Sequence, residues 1–133
     1  MRRWIRLNPP APPRILRFVS VFLILTLAQG LSGQTVLTVN TVSDADDGTC
    51  NSGHCSLREA ITAANHADGG GIIQFSIPGS GPHTIRPSSP LPALEDGVII
   101  DGTTEPDFAG MPVVELDGSL AGDAHGLDIV GSQ

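Results

Sequence analysis

Ser56-Leu57-Arg58-Glu59-Ala60-Ile61-Thr62-Ala63-Ala64-Asn65 is the stretch on which the fold turns. It opens with a capping box, in which the hydroxyl of Ser56 and the carboxylate of Glu59 each take a free backbone amide at the start of a helix. Leu57, Ala60, Ile61 and Ala64 then recur at i, i+3, i+4 and i+7, a narrow apolar stripe along about three turns. Asn65, His66, Asp68 and Gly69-Gly70-Gly71 end the helix, with a glycine ready for the left-handed conformation that closes helix ends. A short helix with one apolar side must lie on something flat or concave. Ser56 is committed as a cap and is a poor nucleophile; Arg58 is expected to pair with an acid or to cover the helix surface.

Upstream, Cys50 and Cys55 enclose Asn51-Ser52-Gly53-His54. In an oxidising compartment two such thiols close a small loop, and a disulfide is the expected state. The rival, a metal site with His54, is one ligand short of the four a structural zinc needs. Ser43-Asp44-Ala45-Asp46-Asp47-Gly48 is an acidic turn. It offers the one weak metal candidate, calcium on Asp44, Asp46 and Asp47, but the glycine comes one place too early for an EF-hand and no glutamate follows at the required spacing. Thr35 to Val42 is β-branched and alternating, a strand with Leu37 and Val39 on one face and Val36, Thr38 and Asn40 on the other.

The first 33 residues read as a secretory signal peptide: arginines, an apolar core from Phe18 to Ala28, then small residues at Ala28-Gln29-Gly30 and Ser32-Gly33. Eleven residues fall short of the roughly 20 that span a bilayer. With no second apolar run, no membrane span is expected after cleavage. From Leu31 onward two arginines face fourteen acids, a formal charge of −12 against −7 for the whole chain. Such a surface repels nucleic acid and anionic lipid and favours solubility.

Beyond the glycines the pattern changes from helical to strand period. Ile72 to Ile77, His83 to Ile85, Val98 to Ile100, Val113 to Leu116 and Gly126 to Val130 read as strands between loops of Gly, Pro, Ser and Asp, with Asp101-Gly102 and Asp117-Gly118 as corners. Their spacing recurs: 26 positions from Ile73 to Ile99, 28 from Ile99 to Leu127, 29 from Ile85 to Val114. That rhythm suits stacked parallel strands.

Cys55-Ser-Leu-Arg-Glu-Ala-Ile61 resembles the motif that names the CSLREA domain, an N-terminal module of exported bacterial proteins. The similarity extends over Thr38-Val-Asn-Thr41, Asp46-Asp-Gly-Thr-Cys50, Ala63-Ala-Asn65, Ile73 to Gly79, Leu91-Pro92, Ile100-Asp-Gly-Thr-Thr104 and Glu115-Leu-Asp-Gly118, about residues 35 to 131. The resemblance implies an all-β fold, a right-handed parallel β-helix of the pectin-lyase type. Residues 34–71 would then form an N-terminal cap, with the strand, the cysteine loop and the short helix. Residues 72–133 would form the first coils, truncated after Gly131-Ser132-Gln133.

Pectin-lyase-like enzymes use a basic residue and exterior calcium, for which the nearest candidates are Arg86, Asp101, Glu115 and Asp117. The two aspartates precede glycine, where aspartate caps a turn with its own side chain, and Arg86 before Pro87 reads as a loop residue. His54, His66, His83 and His125 are scattered, and no nucleophile elbow, phosphate loop or aromatic platform is present. No catalytic residue and no cofactor are therefore expected. The expected role is the cap of a secreted or cell-surface protein, structural or adhesin-like, with downstream coils as its partner and a polysaccharide or cell-surface ligand for the whole. The alternatives are the cap of a polysaccharide-degrading enzyme with its site in later coils, and a small secreted calcium binder.

Overall fold

Residues 33–131 are described by the computed structural model. Apart from Gly33, the expected signal peptide lies outside them, as do Ser132 and Gln133.

Strand β1 (Thr35–Val39) turns Leu37 and Val39 into the core and leaves Val36 exposed, as its alternation requires. It pairs in parallel with β2 (Gly71–Phe75), from Thr35 opposite Gly71 to Val39 opposite Phe75. Parallel neighbours need a crossover, and here it contains helix α1 (Leu57–Asn65). The helix packs on both β1 and β2, burying Leu57, Ala60, Ile61 and Ala64 as one stripe. Full burial of Leu57 and Ile61 contributes about 1.5–3 kcal/mol each. The approach is close enough that a Cβ on Gly71 would stand 3.0 Å from the Cα of Ala64.

Strand β3 (His83–Ile85) pairs in parallel with β5 (Val114–Leu116) in a second sheet, while β4 (Ile99–Asp101) joins β2 on the side away from β1. After β4 the chain enters a 3-10 turn, Gly102–Thr104, and side chains take over from the ladder. The Thr104 hydroxyl accepts from Phe75 N at 2.8 Å, and Glu105 Oε2 accepts from Ile77 N at 3.0 Å. Asp101 and Asp117 accept from the amides of Thr103 and Ser119, so the Asp-Gly corners are self-capped 3-10 turns. These bonds, with the hydroxyl of Thr103 foremost at Asp101 and the amide of Ser119 foremost at Asp117, hold both carboxyls below their ordinary pKa.

The expected right-handed parallel β-helix is corrected. The described residues hold a three-stranded and a two-stranded parallel sheet, strands of three to five residues, and one nine-residue helix; no closed coil forms. The apolar rhythm tracked recurrence of side chains rather than pairing. Ile99 stands opposite Ile72, not Ile73, and Ile85 stands opposite Leu116, not Val114. Gly126 to Val130 contributes only an isolated bridge from Ile129 to Leu94, because Leu127, Ile129 and Val130 are all exposed and no face of the segment is buried. With strands this short, the turns and loops between them set the path of the chain. The boundary expected between residues 71 and 72 falls inside β2.

Candidate functional site

The chemistry-bearing side chains gather where the acidic turn, the cysteine loop and the start of α1 meet. Cys50 and Cys55 are joined in a disulfide, which removes both thiols from any metal site. Asn40, just past β1, anchors the loop. Its Oδ1 accepts from Cys55 N at 2.8 Å, its Nδ2 donates to Asn51 O at 3.1 Å, and its own amide donates to Cys55 O at 3.1 Å. The loop therefore delivers Ser56 to the N-cap in extended conformation. Ser56 Oγ accepts from Glu59 N at 3.2 Å, and Ser56 N donates to Glu59 Oε2 at 2.8 Å, completing the capping box. Ser56→Ala should lower stability by about 1 kcal/mol, read as a shift in denaturation midpoint with an unchanged slope.

Arg58 leaves the same helical turn and clamps two distant segments. Its Nε and Nη2 donate to the two oxygens of Asp44 at 3.1 and 3.0 Å, while Nη1 and Nη2 donate to the carbonyls of Pro90 and Ser89 at 2.8 and 3.0 Å. Asp44 also accepts from Ser88 N and Oγ. Its side chain is 10 % exposed and that of Arg58 13 %. Burial pushes the Asp44 carboxyl up, but the Arg58 and Ser88 hydrogen bonds outweigh it and its pKa lies below the ordinary 3.8. Removing one partner of so enclosed a pair leaves the other charge uncompensated, so Arg58→Ala should cost about 3 kcal/mol in chemical denaturation. The stability Asp44 contributes is complete above pH 3.8 and is lost as the pH falls through its depressed folded value. Asp44→Asn should flatten that acid limb of a stability–pH curve.

Glu59 is the buried acid of the site. Its Oε1 accepts from Asp47 N at 2.7 Å, and its Oε2 lies 3.0 Å from His54 Nδ1, which is 3.9 Å from Asp47 Oδ2. These three side chains are the one grouping of three or more metal-ligating residues among the described residues. Of the weak calcium candidates, Asp44 is taken by Arg58 and Ser88, Asp46 Oδ1 caps the Gly48 amide, and only Asp47 turns an oxygen into the group. The hydroxyl and then the amide of Thr49 hold the Asp47 carboxyl below its ordinary pKa. Comparison with protein-family models, curated proteins and solved structures returned no match. What the site can do therefore rests on its own residues.

The enzyme-like candidates do not assemble around a cleft. Arg86 donates to Asp117 Oδ2 at 2.8 Å and Thr84 Oγ1 to Glu115 Oε2 at 3.2 Å, cross-strand pairs on the exposed side of β3 and β5. Asp101 lies at the end of β4 in the other sheet. A buried pair escaped the sequence reading altogether: His83 Nε2 lies 3.6 Å from Glu105 Oε1, both side chains almost wholly enclosed. Asn40 was also missed as an anchor, having been read as a strand residue. Its signal is an amide side chain closing a β-branched run just before an acidic turn.

Proposed function

We propose that this chain is a structural end module of an exported, secreted or cell-surface protein, with no catalytic role of its own. Its C-terminal side receives further extended segments. The observation that carries this reading is the set of exposed apolar side chains on the later segments. Around α1, Val39, Ala60, Ile61, Ala64 and Ile73 are fully buried, whereas Ile99, Leu116, Leu120, Ile129 and Val130 on the later segments lie exposed. Ile129 is 75 % exposed and Met111 73 %. Among the described residues β4 and β5 are edge strands carrying exposed Ile99 and Leu116, and such edges pair with another strand. The partner fitting it is a strand-rich downstream segment that adds in parallel. The acidic mature part and the signal-like leader support export, and no helix among the described residues is long and apolar enough to cross a membrane.

The purified chain should then self-associate reversibly in sedimentation experiments and bind an apolar dye. Ile99→Lys with Ile129→Lys should suppress both without lowering the melting temperature, since both side chains are exposed. A chain that stays monomeric and dye-free at high concentration does not carry an open edge, and the reading fails.

A further inference from the structure

The geometry points to a binding site for a zinc-class divalent transition-metal ion, formed by Asp47 Oδ2, His54 Nδ1 and Glu59 Oε2 where the acidic turn, the disulfide loop and the helix start converge. The three ligand atoms lie within 4.8 Å of one another, with separations of 3.0 Å from His54 to Glu59 and 3.9 Å from His54 to Asp47. Bonds of about 2.1 Å to a tetrahedral ion place neighbouring ligands about 3.4 Å apart. The two His54 separations bracket that value, and the third, between Asp47 and Glu59, is no more than 4.8 Å.

Two further observations point to an ion. His54 Nδ1 is buried and makes no hydrogen bond, although it is aimed at a carboxylate. A buried nitrogen left unsatisfied is costly, and a lone pair directed at a cation accounts for it. The site is also rich in negative charge. Glu59 is 3 % exposed and shares the site with a second carboxylate, while Arg58, the nearest guanidinium in sequence, is spent on Asp44 and the 89–90 carbonyls. A divalent ion there meets two carboxylates and an imidazole. Glu59 keeps its capping role in either case, because each carboxylate oxygen has a second lone pair beyond the one used by Asp47 N or Ser56 N. An imidazole among so few oxygens disfavours calcium, which takes six to eight oxygen ligands. Three protein ligands leave one tetrahedral position for water. Bound there, the ion ties three segments that the disulfide and Arg58 hold separately.

Zinc(II) titrated into the tag-free, disulfide-bonded chain should bind one to one against a chromophoric chelator and raise the melting temperature, whereas calcium at the same concentration should leave it unmoved. His54→Ala should weaken zinc at least tenfold and abolish the zinc-induced rise in melting temperature, each read against the metal-free form of the same variant. Glu59→Gln, which can still close a capping box, should weaken zinc without unfolding the helix. Absence of stoichiometric binding overturns the site. So does zinc bound equally well by His54→Ala, which would place it on His66, His83 or His125, and so does a calcium response equal to that of zinc.

Discussion

Ile61→Asp should be the most damaging single change in the helix, with a loss of about 5 kcal/mol. Ile61 is fully buried on the α1 stripe that faces β1 and β2. Deleting a buried isoleucine side chain to alanine alone costs about 2–5 kcal/mol. A carboxyl group at that position adds the cost of a polar group with no partner, or of a proton taken up to neutralise it. Domains of this size are stable by about 5–15 kcal/mol, so a large part of the population should be unfolded in water. Far-ultraviolet circular dichroism should show helix and strand signals lost together, since α1 is the crossover that brings β1 and β2 into register. Ile61→Val, at about 0.5–1.5 kcal/mol, should remain folded and serve as the control. Were Ile61→Asp to melt cooperatively within 1 kcal/mol of the parent, the helix would not be packed on the sheet as described.

The elements whose order comes from local chemistry were legible before the structure. The capping box and the apolar stripe place the helix at Leu57–Asn65 with Ser56 as its cap, whereas its C-cap is His66 in right-handed conformation and not the expected glycine. His83–Ile85 forms as read, and β1 with its inward Leu37 and Val39 needed only a shorter C-terminal end. The larger architecture was not legible, because apolar spacing fixes which side chains recur and not which backbones pair. A one- or two-residue shift separates the apparent rhythm from the observed register at Ile72–Ile99 and Ile85–Leu116. Gly126 to Val130 has the composition of a strand, but a strand forms only where a neighbour buries one of its faces.

The site was legible in parts and not as a whole. Cys50 and Cys55 were read as a pair, and Asp47, His54 and Glu59 each came into view for a different reason: a turn, a rejected thiolate site and a helix cap. Their convergence depends on the Asn40 anchor and on the direction in which the disulfide loop returns to the helix, and neither appears in residue spacing. The same holds for Arg58 and Asp44. Fourteen positions separate them, and the Ser88 to Pro90 segment that completes their enclosure arrives from still further along the chain.

Gly70→Ala tests the packing of the loops rather than of the core, and it should cost about 4 kcal/mol. Gly70 has φ +81° and Gly97 φ +82°, so both occupy the left-handed region. An L-residue held there carries about 1–3 kcal/mol of strain. The two corners are also stacked: a Cβ on Gly70 would lie 2.2 Å from the carbonyl carbon of Gly97 and 2.7 Å from its Cα. Those atoms are backbone and cannot rotate aside, so the 97 loop has to move, with an overpacking cost of about 1–3 kcal/mol. Gly69→Ala is the matched control. Its φ is +79°, but nothing lies within 4 Å of its Cβ position, so it carries the conformational cost without the collision. The difference between the two variants in chemical denaturation isolates the contact between the turn that ends α1 and the turn that starts β4. Equal losses would mean that the turns do not touch, and that β4 reaches β2 without the support of the loop before it.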